Sequence, residues 1–218
     1  MTNITHFVWD FLNKHPAMQK SLKMGIVNVR ALASYIIKQG KMDSSTHAVI
    51  SAIRRYNAGN DSVLIGEKLA ELFRDSKIST KSKLVSITVS RDFNFLAKIM
   101  PQVFSSIDVT RGELLRLAEG RESMKIIIDH RKKAEILSMM PKERVYEIKD
   151  NLGEVNVNLD DKKSDIPGVL STLLTEIAAN SINIVEILGG APEIIIIVRE
   201  KDLSRTHDLL LRFFYGDD

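Results

Sequence analysis

The 218-residue chain has no cysteine. That excludes disulfides, thiolate metal sites and cysteine nucleophiles, and it agrees with a reducing, cytoplasmic setting. Long hydrophobic runs are missing too. The longest purely aliphatic one, Ile194 to Val198, falls far short of the roughly 18–20 residues a membrane helix needs. Met1 to Asn13 holds no basic segment followed by an apolar one, so no signal peptide is expected and no membrane partner is read. Catalytic signatures are also lacking. The histidines His6, His15, His47, His130 and His207 show neither i, i+4 spacing nor the H-E-x-x-H pattern, and no Gly-Lys-Ser/Thr loop or G-x-S-x-G elbow occurs. The expectation is a protein that is not an enzyme, with no metal and no cofactor.

What is present is ordinary in bulk and uneven in detail. Apolar residues are 44% and charged residues 27%, the balance of a globular protein with enough length for two or three small modules. Residues 1–80 hold 11 Lys/Arg against 6 Asp/Glu, residues 81–150 hold 14 against 10, and residues 151–218 hold 6 against 12. A basic front and an acidic back suggest different partners for the two ends, with an anion or nucleic acid at the front. Chance scatter of charge between modules is the plainer alternative.

The front, residues 1–80, reads as helical. His6 to Asn13 is a short helix with Phe7 and Phe11 inward and Trp9 a further candidate for that side, closed by Pro16. Leu32, Tyr35, Ile36 and Gln39 recur at i, i+3, i+4 and i+7 behind Asn28, a good N-cap, and Gly40 supplies the stop. Ser44-Ser45-Thr46 then opens a helix to about Asn57. One side of it carries Val49, Ile50, Ile53 and Tyr56; the other gathers Ser44, His47, Ser51, Arg54 and Arg55. Small polar residues followed by two arginines suit a helix that approaches DNA, since the guanidinium groups neutralise phosphates or fork onto guanine. This pair of helices resembles a helix-turn-helix of the winged-helix class. Two readings stay open: DNA contact, or a solvated face on a helical module that grips another protein. Asp61 to Asp75 reads as a further helix where a wing would stand.

After a polar linker, Ser79 to Ser82, residues 81–150 spell β-α-β-β-α-β, the ferredoxin-like pattern. The strands are Leu84 to Val89, Leu114 to Ala118, Met124 to Asp129 and Arg144 to Lys149. Asp92 caps the first helix, and Pro101 within it implies a kink or an early end. Arg131-Lys132-Lys133 reads as a solvated helix face, and the neighbours Asp129 and His130 as structural. The last of these strands is open to assignment to either the preceding or the following sheet.

Residues 151–218 repeat the order as β-α-β-β-α, with no obvious last strand. Glu154 to Leu159 alternates as a strand. Asp165 is a candidate N-cap with Pro167 in the first helical turn, and Leu170, Leu173, Leu174 and Ile177 form the apolar stripe. Ile182 to Leu188 and Ile194 to Arg199 are strands, and Leu203 to Phe214 is the closing helix.

Asp165-Ile166-Pro167-Gly168-Val169-Leu170, followed at Ile182-Asn183-Ile184, resembles the ACT domain, a ligand-sensing module of amino-acid metabolism. The resemblance covers about residues 152–214 and reaches the middle unit only by topology, because Asp92 to Phe95 stands there in place of the Pro-Gly. It implies a βαββαβ fold that pairs with another copy, and an amino acid held between the strand-to-helix loop of one copy and the second strand of its neighbour. The site residues it implies are Ser164, Asp165, Ile166, Pro167, Gly168 and Val169, with Asn183 and Ile184 across the interface. A helix N-terminus offers free N–H groups to a carboxylate, which makes the placement chemically reasonable. The plainer reading is that Asp-x-Pro-Gly is a well-made helix start and Asn183 a turn residue.

The expected architecture is therefore α+β: a helix-turn-helix-like module (1–80) and two ferredoxin-like, ACT-like units (81–150 and 151–218). The expected function is an amino-acid-responsive transcriptional regulator, acting as a homodimer or higher homo-oligomer whose ligand alters DNA binding. The alternative is a non-catalytic regulatory or assembly subunit of an amino-acid metabolic enzyme.

Overall fold

The computed structural model describes residues 4–56, 61–160, 165–190 and 192–216. The chain forms two compact units, Met1–Gly66 and Glu67–Asp218.

In the first unit, α1 (Ile4–Asn13), α3 (Val29–Gly40) and α4 (Thr46–Arg54) meet around Val8, Leu12, Leu32, Ala33, Ile36, Val49, Ala52 and Ile53. Asn28 caps α3 by accepting the N–H groups of Arg30 and Ala31, and Ser45 caps α4 by accepting that of Ala48. Pro16 opens a helix, α2 (Pro16–Lys23), instead of merely closing α1; at the first helical position its missing N–H is no loss. Gly40 acts by size. A Cβ there would lie 2.6 Å from the Phe7 ring, while the left-handed turn that ends α3 falls on Lys41. No strand, and so no wing of a winged helix, occurs among the described residues of this unit. α4 ends at Arg54, short of the expected Asn57, which lies outside the described residues.

Helix α5 (Asp61–Arg74) leads into a six-stranded antiparallel sheet of order β2-β3-β1-β4-β6-β5. The strands are β1 (Lys77–Ser90), β2 (Leu115–Glu119), β3 (Ser123–Asp129), β4 (Val145–Asn158), β5 (Ile184–Gly190) and β6 (Glu193–Arg199). Helices α6 (Phe93–Ser106) and α7 (Lys133–Ser138) serve one lobe; α8 (Val169–Ala179) and α9 (Leu203–Tyr215) serve the other. Pro101 is accommodated inside α6, which continues past it to Ser106.

The two long strands knit the lobes together. Residues 86–89 of β1 pair with 145–149 of β4 and close the first lobe, which assigns the strand left open by the sequence. Residues 77–81 of β1 pair with 154–158 of β4 and supply the second lobe with its fourth strand. The expected polar linker is thus a strand, and the expected gap is filled from upstream in the chain. Each long strand changes lobe across one left-handed residue, Lys83 in β1 and Asn151 in β4, both at φ 57°.

Alternation sorts the side chains onto two faces. Val85, Ile87, Val89, Ile126 and Ile128 pack with α6 and α7. The opposite face brings Leu84 and Ile127 of the first lobe onto Leu152, Ile195 and Ile197 of the second. In a flat sheet β3 and β5, four strands apart, would stand about 19 Å from each other. Lys125 of β3 nevertheless pairs with Glu186 of β5, so the sheet curls until its lobes face one another. Arg116 of β2 likewise meets the buried Glu154 of β4, at 2.9 Å.

Candidate ligand-binding site

The loop singled out by the sequence lies between β4 and α8. Asp165, Pro167 and Gly168 are exposed, Ile166 is half-buried and Val169 is buried; Ser164 lies outside the described residues. Asp165 does not cap the helix. Gly168 occupies the N-cap position at φ 97° and has no side chain to cap with, and among the described residues no side chain accepts from the first N–H groups of α8. That left-handed geometry is what requires glycine here. Ser171 Oγ donates back to the Gly168 carbonyl at 2.9 Å, leaving those N–H groups untouched.

The corresponding position in the first lobe is closed. Asp92 caps α6, its Oδ1 accepting the Phe95 N–H at 3.1 Å and its Oδ2 lying 3.0 Å from Arg144. That N–H bond first, and the Arg144 guanidinium after it, hold the Asp92 carboxyl below its ordinary value. One lobe therefore carries its own carboxylate at the helix start, and the other has none capping it among the described residues.

Asn183 and Ile184 stand at the opposite end of the second lobe. β5 runs parallel to β4, and Ile184 pairs with Val198 beside Gly153, while the loop follows Asn158. The two ends are separated by five residues of strand, about 17 Å. Within one chain the two halves of the expected site do not meet. Asn183 and Ile184 instead line a cavity of about 620 Å³ with Lys149, Asp150, Arg199 and Lys201. Sequence reasoning missed these four because the bulge at Asn151 and the end of β6 come together only through the sheet.

Of the residues expected to read DNA, His47, Ser51, Arg54 and Arg55 are exposed, and Ser44 is half-buried. Ser44, Ser51 and Arg55 share a cavity of about 830 Å³ with Thr5, Phe7 and Gly40. The Arg55 guanidinium is turned back, donating to the Ser51 carbonyl and to Thr5 Oγ1, each at 3.2 Å. Among the described residues no His/Cys/Asp/Glu group suited to a metal occurs, and no helix is long and apolar enough to cross a membrane.

No family model and no curated protein matches the sequence. Solved structures do match the fold. Aspartate kinase of Clostridium acetobutylicum, an allosteric enzyme, superposes with TM-score 0.53 at 17% identity over 63% of this chain and 34% of its own. The regulatory subunits of aspartate kinase from Thermus flavus and Thermus thermophilus give TM-scores of 0.51 and 0.50, each at 14% identity over 63% of this chain and 96% of theirs. The chain thus spans about a third of the Clostridium enzyme and nearly all of each regulatory subunit. The sheet unit has an ACT-like fold, shared with the regulatory parts of aspartate kinases.

Proposed function

We propose that this chain is a non-catalytic regulatory subunit that senses an amino acid on behalf of an enzyme of amino-acid metabolism. The effector's carboxylate sits at the start of α8, against Ser164 to Val169, and Asn183 and Ile184 of a second copy meet its other groups. The observation that carries this reading is the contrast between the lobes. Asp92 occupies the start of α6, and α8, whose Gly168 leaves room for close approach, has no such occupant among the described residues. The likeness of the sheet to regulatory subunits supports it. The transcriptional reading draws no support from the comparisons, and the Arg55 guanidinium, though exposed, is already engaged by Ser51 and Thr5.

A thermal-shift screen of the common amino acids tests the proposal. At least one should raise the melting temperature, and Gly168→Asp should abolish that shift by placing bulk and negative charge at the helix start. A flat screen on folded protein would remove the sensing role.

A further inference from the structure

The first lobe contains a carboxylate for which the second has only the surroundings. Asp129 ends β3 opposite Leu84, and its buried carboxylate accepts the Leu114 N–H at 2.7 Å and pairs with Lys81 at 3.2 Å. The strand registers give the counterparts. Leu152 stands opposite Arg199 as Leu84 stands opposite Asp129. Lys149 precedes Leu152 across the left-handed Asn151, as Lys81 precedes Leu84 across Lys83. Asn183 precedes the first paired residue of β5, as Leu114 precedes that of β2. The lysine and the backbone N–H are kept, but the acid between them is replaced by arginine.

Lys149 is left without the acid that neutralises its counterpart Lys81, and Arg199 and Lys201 add two further cations beside it. Among the described residues Arg199 and Lys201 form no ion pair, and the Asn183 N–H makes no hydrogen bond. Lys149 reaches only Glu147 on its own strand, at 3.1 Å. All four residues line the 620 Å³ cavity. Its acidic member, Asp150, is already held by Lys133 at 2.6 Å, with His130 at 3.6 Å. Like charges gathered around an unused donor favour an anion.

We propose that this cavity binds a small dicarboxylate. One carboxylate takes the position that Asp129 fills in the first lobe, accepting the Asn183 N–H and pairing with Lys149 and Arg199. The second carboxylate meets Lys201. The site is complete within one chain and uses no residue of the α8 loop; it shares Asn183 with the sensing role proposed above and goes beyond it in needing no second copy.

Titration of the full chain with succinate, read by calorimetry and by amide NMR shifts, tests it. Binding should be saturable, with the largest shifts at Asn183 and Arg199, and inorganic phosphate at equal ionic strength should not reproduce it. Arg199→Asp should weaken binding by roughly tenfold or more and raise the melting temperature, by recreating the ion pair of the other lobe. Lys149→Ala should weaken binding similarly, which keeps the test usable if the first variant misfolds. Gly168→Asp should leave succinate binding unchanged, separating this site from the α8 loop. No saturable binding, equal binding of phosphate, or full binding by Lys149→Ala would each overturn the proposal.

Discussion

Asp92 is ionised more readily in the fold than in an unfolded chain, because the Phe95 N–H and Arg144 favour its charged form. A lowered carboxyl value adds stability above the unfolded value, about pH 4, and that stability is lost as pH falls through the folded value. Asp92→Asn should therefore lower the urea midpoint at pH 7, with the gap between variant and parent narrowing on acidification to pH 3. A gap that is constant with pH would mean that the aspartate matters only as a hydrogen-bond acceptor. Single residues of this kind were legible in the sequence where the physics is local: Asn28 and Asp92 cap the helices they precede. Asp165 was misread because the same local rule allows two starts for α8, and the Gly168 turn takes the later one. Nothing in the sequence could announce Lys125 meeting Glu186, 61 positions away.

Elements were legible by period, and their partners were not. The strands Met124–Asp129 and Ile194–Arg199 appear in the structure nearly as read, because apolar alternation and continuous apolar runs are carried by neighbouring residues. β1 was read as a shorter strand beside a linker, because Ser79 to Lys81 lacks the apolar signature, and β4 as two strands of different units, Arg144 to Lys149 and Glu154 to Leu159. Their place in the sheet depends on pairing with distant partners. Lys83, the residue at which β1 changes lobe, has a left-handed backbone that disfavours any Cβ. Lys83→Gly should stabilise the sheet by about 0.5–1 kcal/mol, the relieved strain exceeding glycine's entropic cost in the unfolded chain. Urea denaturation would show this as a higher midpoint at unchanged slope. A lower midpoint would mean that the lysine side chain contributes more than its backbone costs.

For the whole molecule, two sequence repeats become one sheet. The repeat was visible in the order of elements, but the exchange of edge segments was not, since it leaves the order unchanged. It makes a prediction about truncation. A chain starting at Glu67 keeps all six strands intact, whereas one starting at Lys83 removes residues 77–81 and leaves the second lobe with three strands. The first should give a cooperative thermal transition. The second should lose it, and proton exchange should be fastest in residues 152–158, whose neighbour is gone. If the shorter chain melts as sharply as the longer, the shared strand is dispensable.

The Tyr215 hydroxyl, at the end of α9, donates to the Ser76 carbonyl just ahead of β1, at 2.6 Å. The strands of the sheet unit therefore begin beside the end of its last helix, so that either lobe can be counted first. Beginning the count at β4 makes the second lobe a continuous β-α-β-β-α-β whose last strand is the opening segment of β1. The first lobe is then threaded into that circuit, with no loose end of its own.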